Sequence, residues 1–312
     1  MNARIAVTAC MKNEGPFVVE WVAHYLSLGF DHAFILTNDC DDGTDLIADR
    51  LAQLAPVTHI RNLVPEGGFA QEVGMAALKT SGLLDNVDWL LHADADELLY
   101  LHDPDPDIGR FLASLPPSDA VAFDWRFGGT DLEQWPGGLV VENCPKGAAA
   151  LSEAEPFSKT IFRPALFAFF SDHMPKMPSR PDVIVRNSLG QELPNAAMSH
   201  PRKSRYIRGS IDHLSWQRAE MRHYALRAQD VFAIKALRGS GIHPRPQKYR
   251  VGSQFWKLAN RRDVDLAADP AWLDRLHTHV AGFSADPELS RLQKDAIASV
   301  QRKVEQLKAI TG

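Results

Sequence analysis

The chain has 312 residues, 45% hydrophobic and 23% charged, with a formal net charge of −5. That length buries a sizeable core, as one large domain or two small ones. The acidic balance argues against holding nucleic acid by counterion release, and no apolar run approaches the ~20 residues that span a bilayer. Three cysteines, Cys10, Cys40 and Cys144, stand far apart with no C-x-x-C pair, so neither a zinc site nor a disulfide framework is expected. Free thiols, and an N-terminus that enters a strand-like run without a signal peptide, point to the cytoplasm. Peripheral docking at the inner face of a membrane stays open.

In chain order, Ile5 to Cys10 reads as a short buried strand. Lys12-Asn13-Glu14-Gly15-Pro16 then turns into a helix carrying Val18, Trp21, Val22, Tyr25 and Leu26, which Gly29 ends. A second strand spans 33–37, and a polar, acidic loop follows over 38–45. Leu46, Ile47, Leu51 and Leu54 mark a helix, and 57–60 a third strand. Gly67-Gly68 opens a helix to about Thr80. Trp89, Leu90 and Leu91 form a fourth strand ending in Ala93-Asp94-Ala95-Asp96-Glu97. Strands alternating with helices imply βαβ units and a mostly parallel sheet flanked by helices, an α/β fold of Rossmann-like type. Beyond residue 100 the pattern loosens. A strand is expected over 120–127, short strands over 160–163 and 183–186, a helix over 217–238, and a tail helix with an apolar stripe at Leu289, Leu292, Val300, Val304 and Leu307. The reading is a domain over 1–240 and an irregular, helical C-terminal extension over 241–312 packed on it.

Ligands of parallel sheets bind beyond the carboxyl ends of the strands. Three polar clusters fall there. The central one is Asp94-x-Asp96, with Glu97 beside it. Carboxylates at a strand end can hold Mg²⁺ or Mn²⁺ against the phosphates of a leaving diphosphate. Alternate positions of an extended segment face one ligand together. A D-x-D arises about once by chance in a chain this long, and Asp103-x-Asp105 and Asp263-x-Asp265 also match. Those two sit in polar, loop-like contexts and read as solvated surface; the first follows a hydrophobic strand. The second cluster, Thr8 to Glu14, precedes a helix N-terminus and could hold a nucleotide's negative charge; the plainer alternative is that Asn13 and Glu14 cap the helix. The third, Asn38 to Thr44, could read a base edge or ribose hydroxyls, or could simply cap the next helix. Neither a G-x-G-x-x-G nor a P-loop motif occurs.

Together these clusters resemble the GT-A nucleotide-sugar transferases, in particular the family 2 glycosyltransferases. Lys12-Asn13-Glu14, Asp42-Gly43-Thr44 and His92-Ala93-Asp94-Ala95-Asp96-Glu97 are similar to that family's motifs. Glu20-Trp21-Val22-Ala23-His24-Tyr25, Trp125-Arg126-Phe127-Gly128, Lys159-Thr160-Ile161-Phe162-Arg163-Pro164 and His223-Tyr224 resemble a branch with family 92-like features. The resemblance implies a GT-A-like fold, a nucleotide-sugar donor, Mn²⁺ or Mg²⁺, and inversion at the anomeric carbon, with a carbohydrate or lipid-linked acceptor, as in polysaccharide biosynthesis. It places Thr8, Lys12, Asn13 and Glu14 near the nucleotide, Asn38 or Asp39 near the base, Asp94 at the ribose and metal, and Asp96 and His223 at the metal. Two departures stand out. Thr37-Asn38 replaces the usual adjacent aspartates, and Gln71-Glu72-Val73-Gly74 replaces a helix bearing arginine or asparagine.

An inverting transfer also needs a carboxylate to take the acceptor's proton; Asp131, Glu155 and Asp172 are the candidates. The basic run 201–208 could meet a phosphorylated acceptor or anionic lipid, and Trp125 could stack on a sugar. Two other readings compete: a nucleotidyltransferase on a related sheet, which would need a Gly-rich loop after the first strand, and a non-catalytic nucleotide-sugar or carbohydrate-binding protein.

Overall fold

A computed structural model gives the structure, and it describes residues 3–151, 157–200, 203, 205–206, 213–238, 249–266 and 268–311. The N-terminal alternation holds: β1 (Ile5–Met11), α1 (Gly15–Ser27), β2 (His32–Thr37), α2 (Thr44–Leu54), β3 (Val57–Arg61), α3 (Ala70–Thr80) and β4 (Trp89–His92). These strands lie parallel in the order β4-β1-β2-β3. Both faces of β1 are covered, which explains its unbroken apolar run. Ile5, Val7 and Ala9 join the core with α1 and α2, while Ala6 packs toward Met75 and Leu78 of α3.

The rest of the chain extends this sheet. The elements are β5 (Glu97–Leu101), α4 (Ile108–Ala113), β6 (Ala120–Gly129), α5 (Val140–Asn143), β7 (Lys146–Gly147), β8 (Ser158–Phe162), the hairpin β9 (Phe167–Phe170) and β10 (Pro175–Pro178), β11 (Val185–Asn187) and β12 (Glu192–Leu193). Then come β13 (Ala219–His223), α6 (Gln229–Arg238), α7 (Gln254–Ala259), β14 (Val264–Asp265), α8 (Pro270–Ser284) and α9 (Pro287–Thr311). β8 joins β4 to β6 with antiparallel pairing on both sides. β13 lies antiparallel to β5 and parallel to β6.

The helix expected over 217–238 is corrected: its first part is strand β13, and helix begins only at Gln229. Glu, Met and Arg favour helix locally, but pairing on both sides buries all five residues of β13 and overrides that preference. Its charges are met in place, Glu220 bonding Arg126 at 2.9 Å and Arg222 at 2.6 Å. β5 was not anticipated, because its apolar run follows the acidic cluster directly. The expected tail helix is α9. Trp272, Leu276 and Phe283 of α8 and Leu289, Leu292 and Ala296 of α9 bury in the same core as α1 and β1. The boundary drawn at 240–241 falls outside the described residues. No helix among the described residues is long and apolar enough to cross a membrane, and all three cysteines are free thiols.

Candidate active site

Because β1 lies between β2 and β4, the three polar clusters end on neighbouring strand tips. The first two clasp each other. Gly15 N–H donates to Asp42 Oδ2 at 2.9 Å, Glu14 N–H donates to Thr44 Oγ1 at 2.8 Å, and Asp41 N–H donates to Asn13 Oδ1 at 2.9 Å. Asp42 thus serves the start of α1 as well as its own turn, where Thr44 N–H donates to its Oδ1. Lys12 pairs with Asp39 at 3.5 Å, and Asn38 donates to the same carboxylate. Asn13 and Asp39 hold left-handed backbones, φ 56° and 45°, which costs of order 1–3 kcal/mol each and recurs at ligand-binding turns. Thr8 lies within β1 rather than at its tip. It is fully buried, and its Oγ1 has no hydrogen-bond partner among the described residues.

Glu14 takes a different role from the nucleotide contact expected of it. Its carboxylate, nearly buried, accepts from Arg227 at 2.6 Å. Arg227 also donates to the Ala95 carbonyl at 2.5 Å and lies 3.7 Å over the Phe17 ring. Its own φ is +59°, a third left-handed residue at this end of the sheet.

The turn between β4 and β5 carries Asp94, Asp96 and Glu97. Asp94 Oδ2 accepts from Lys159 Nζ at 3.0 Å, and Asp94 Oδ1 from Gln71 Nε2 at 3.1 Å. Lys159 is fully buried on β8 and reaches Glu97 as well, at 3.1 Å. Asp96 Oδ2 accepts from Lys235 Nζ at 2.5 Å and faces His223 Nε2 at 3.6 Å. Trp21 Nε1 donates to the Asp94 carbonyl and Tyr25 Oη to the Glu97 carbonyl, so α1 braces the turn. Burial would raise the Asp94 carboxyl, but Lys159 and His92 outweigh it and hold it below the ordinary carboxylate value. Asp96 is held well below that value, Lys235 and His223 overcoming the same burial. Glu97 goes the other way: burial, despite Lys159, pushes it well above its usual value. Two adjacent acids therefore stay ionised while the third favours its proton.

The fit of a divalent cation follows from these distances. Asp96 Oδ2 and His223 Nε2 are close enough for both to bind one ion. Burial lowers the His223 pKa despite Asp96, which keeps the imidazole neutral and fit to ligate. Among the described residues no group of three His, Cys, Asp or Glu is placed to hold a metal. Asp96 and His223 supply two potential ligands, and any further ones would have to come from phosphate oxygens or water. Asp94 was also expected at the metal; its two oxygens accept from Lys159 and Gln71, as Asp96 Oδ2 accepts from Lys235.

An aromatic cleft adjoins this turn. It is open to solvent and lined by Trp125, Phe127, Phe157, Leu214, Trp216 and Arg261 among others. Trp125 connects the two: its ring lies 4.3 Å from that of His223 and 5.2 Å from that of His173. Arg205, from the basic run, lies 3.9 Å over Phe157; residues 201, 202, 204, 207 and 208 of that run lie outside the described residues.

The three expected bases fare differently. Asp172 lies 3.5 Å from His173, whose ring stacks on Phe157 of the cleft. The Asp131 side chain is 85% exposed and pairs outward with Arg262 at 3.5 Å. That corrects its placement at the site, since the loop after β6 carries it into solvent. Glu155 lies outside the described residues. The Asp103-x-Asp105 and Asp263-x-Asp265 matches are ion-paired to arginines, Asp105 with Arg110 and Arg275, and Asp263 with Arg261. Sequence reading gave no role to Lys159, Lys235, Arg227 or Gln71. The usable signal was Lys159 itself, a lone charge inside an apolar strand that demands a buried partner.

No protein-family model matches this chain. A 101-residue stretch, 31% of the chain, is 30% identical to a glycosyltransferase family 92 protein of Ricinus communis, and spans 17% of that protein's length. Among solved structures, TarS of S. aureus is similar over 97% of this chain and 83% of its own, at 13% identity and a TM-score of 0.39. Glucosyl-3-phosphoglycerate synthase of Mycobacterium tuberculosis, in complex with Mn²⁺, UDP and phosphoglyceric acid, is similar over 54% of this chain and 60% of its own, at 15% identity and a TM-score of 0.31. The sequence match agrees with the resemblance read from the motifs: this chain is similar to a glycosyltransferase over about a third of its length.

Proposed function

We propose that the chain is a glycosyltransferase that takes a sugar from a nucleotide-diphosphate donor and passes it to a hydroxyl in the aromatic cleft. The observation that carries this reading is the β4–β5 turn. It holds two ionised aspartates, each seated on a lysine, between the tips of β1 and β2 on one side and an aromatic cleft on the other. The loops around Lys12, Asn13, Asn38 and Asp39 would take the nucleoside, with Asp94 toward the ribose. Asp96 and His223 would hold Mn²⁺ or Mg²⁺, which neutralises charge on the departing diphosphate when bound. Aromatic faces suit a sugar acceptor, and Trp125 would set its distance from the donor.

In an inverting transfer the acceptor oxygen forms the new bond to the anomeric carbon as the bond to the diphosphate oxygen breaks. The acceptor proton then goes to a carboxylate. Asp172 is the candidate base, next to His173, whose ring stacks on Phe157 of the cleft.

The test is a panel of UDP- and GDP-sugars read by thermal shift and nucleotide release, with and without Mn²⁺. Donor stabilises the folded chain, and Asp96→Asn is expected to cut turnover by about 10²–10³-fold, as loss of an electrostatic group at a leaving charge does. Full turnover in Asp96→Asn, or no stabilisation by any donor, would sink the reading. Donor binding without turnover would favour a binding protein. Trp125→Ala is expected to raise the acceptor KM at least tenfold with donor affinity unchanged.

A further inference from the structure

The two lysines on the aspartate pair are not equivalent. Lys159 is fully buried and bridges two acidic side chains, Asp94 at 3.0 Å and Glu97 at 3.1 Å. Two carboxyl groups from one turn lock it into the framework. Lys235 comes from α6 on the opposite side of the site. It bonds Asp96 Oδ2 at 2.5 Å and the Ala225 carbonyl at 2.8 Å. The oxygen it holds is also the one that faces His223 Nε2 at 3.6 Å. One carboxylate oxygen therefore serves both the lysine and the pair of groups that would ligate a metal.

Mg²⁺ binds a carboxylate oxygen at about 2.0–2.1 Å. On this oxygen it would crowd the Lys235 ammonium, which already lies 2.5 Å away. The two cations compete for the same place. A nucleoside diphosphate changes the balance, because its phosphate oxygens offer further negative charge beside both. Lysine suits such an exchange, as a compact charge on a flexible stem that can pass from one oxygen to another. The neighbouring carboxylates are already matched within the chain, Glu14 by Arg227 and Asp94 by Lys159.

We propose that Lys235 is a diphosphate-binding residue that occupies the cation position on Asp96 while the donor is absent, so that metal and nucleotide bind together rather than separately. Metal alone then meets a site filled by an ammonium. Nucleotide arriving with metal draws Lys235 onto a phosphate oxygen and opens Asp96 and His223 to the ion. This deepens the reading of the same site as a nucleotide-sugar site, and its nucleotide half rests on that reading.

The experiment is calorimetric titration of the full chain with MnCl₂ alone, with UDP or GDP alone, and with each nucleotide in saturating Mn²⁺. It compares the native chain with Lys235→Met and Lys235→Gln, two neutral variants of which either suffices if the other does not fold. The native chain is expected to bind Mn²⁺ alone at least tenfold more weakly than it does with nucleotide present. The neutral variants are expected to bind Mn²⁺ alone at least tenfold more tightly than the native chain, and the nucleotide at least tenfold more weakly. Unchanged Mn²⁺ affinity in the variants overturns the masking of Asp96. Unchanged nucleotide affinity overturns the phosphate contact. If the native chain binds neither nucleotide at any Mn²⁺ concentration, the donor reading itself fails, while the Mn²⁺ comparison still reports on Lys235.

Discussion

Lys159 shows how strongly a single residue can shape this site. A buried ammonium is tolerable only with charge against it, which Asp94 supplies, while Glu97 gives a second oxygen within 3.1 Å. Removing one partner of a buried ion pair typically costs about 3–5 kcal/mol, because the other charge stays behind. Lys159→Met is therefore expected to lower the unfolding free energy by about that amount in denaturant titration. Gln71→Leu removes only a hydrogen bond to the half-exposed Asp94, and a loss of about 1 kcal/mol is expected. Equal losses for the two variants would mean that Lys159 is not held by its charge.

Helix α1 carries the clearest element-scale device. Glu20, buried on it, accepts from the Val140 and Val141 N–H groups and so satisfies the start of α5. Burial pushes its carboxyl up to about 7, against those two bonds. In the unfolded chain Glu20 releases its proton near its usual 4.5, whereas the folded chain keeps it to about 7. The associated stability is present below pH 4.5 and is lost as pH rises through 7, a change of about 3 kcal/mol. Glu20→Gln is expected to flatten that part of the pH profile, read as the difference in melting temperature between native and variant at pH 5 and pH 8. Gly15, at the start of the same helix, is set by close approach. A Cβ there would lie 2.7 Å from Ala296 Cβ and 3.1 Å from Asp42 Oδ2. Gly15→Ala is expected to cost about 1–3 kcal/mol, the usual range for overpacking; a neutral or stabilising effect in thermal unfolding would show that α9 yields.

At the scale of the whole molecule, the C-terminal helices close the core that the sheet begins. Trp272 of α8 is 1% exposed, with its ring edge-on to His24 of α1 and Tyr100 of β5. The Tyr100 hydroxyl in turn accepts from Asp269 N–H at the start of α8. Arg50 of α2 holds Asp286 before α9 at 2.6 Å. Trp272→Ala is expected to destabilise the fold by about 3–5 kcal/mol, as loss of a buried aromatic does, with a single unfolding transition kept. A separate early transition for the C-terminal helices would instead mark them as an independent unit.

What local pattern can encode was legible in the residues themselves. The alternation of apolar strands and helices through residue 92, the three polar clusters at strand ends, and the tail helix all follow from spacings of two or 3.6 residues between neighbours in the chain. Strand β13 was not legible, because its pairing partners β5 and β6 outweigh its own helical preference. Nor were the cations of the site. Lys159 is 65 residues from Asp94, Lys235 is 139 from Asp96, and Arg227 is 213 from Glu14. An ion pair leaves no periodic trace in sequence, since any lysine on a suitable element can meet any carboxylate that folding brings near. The acids of this site could be read from the chain; the choice of partner for each was made by the packing of β8, β13 and α6 around the β4–β5 turn.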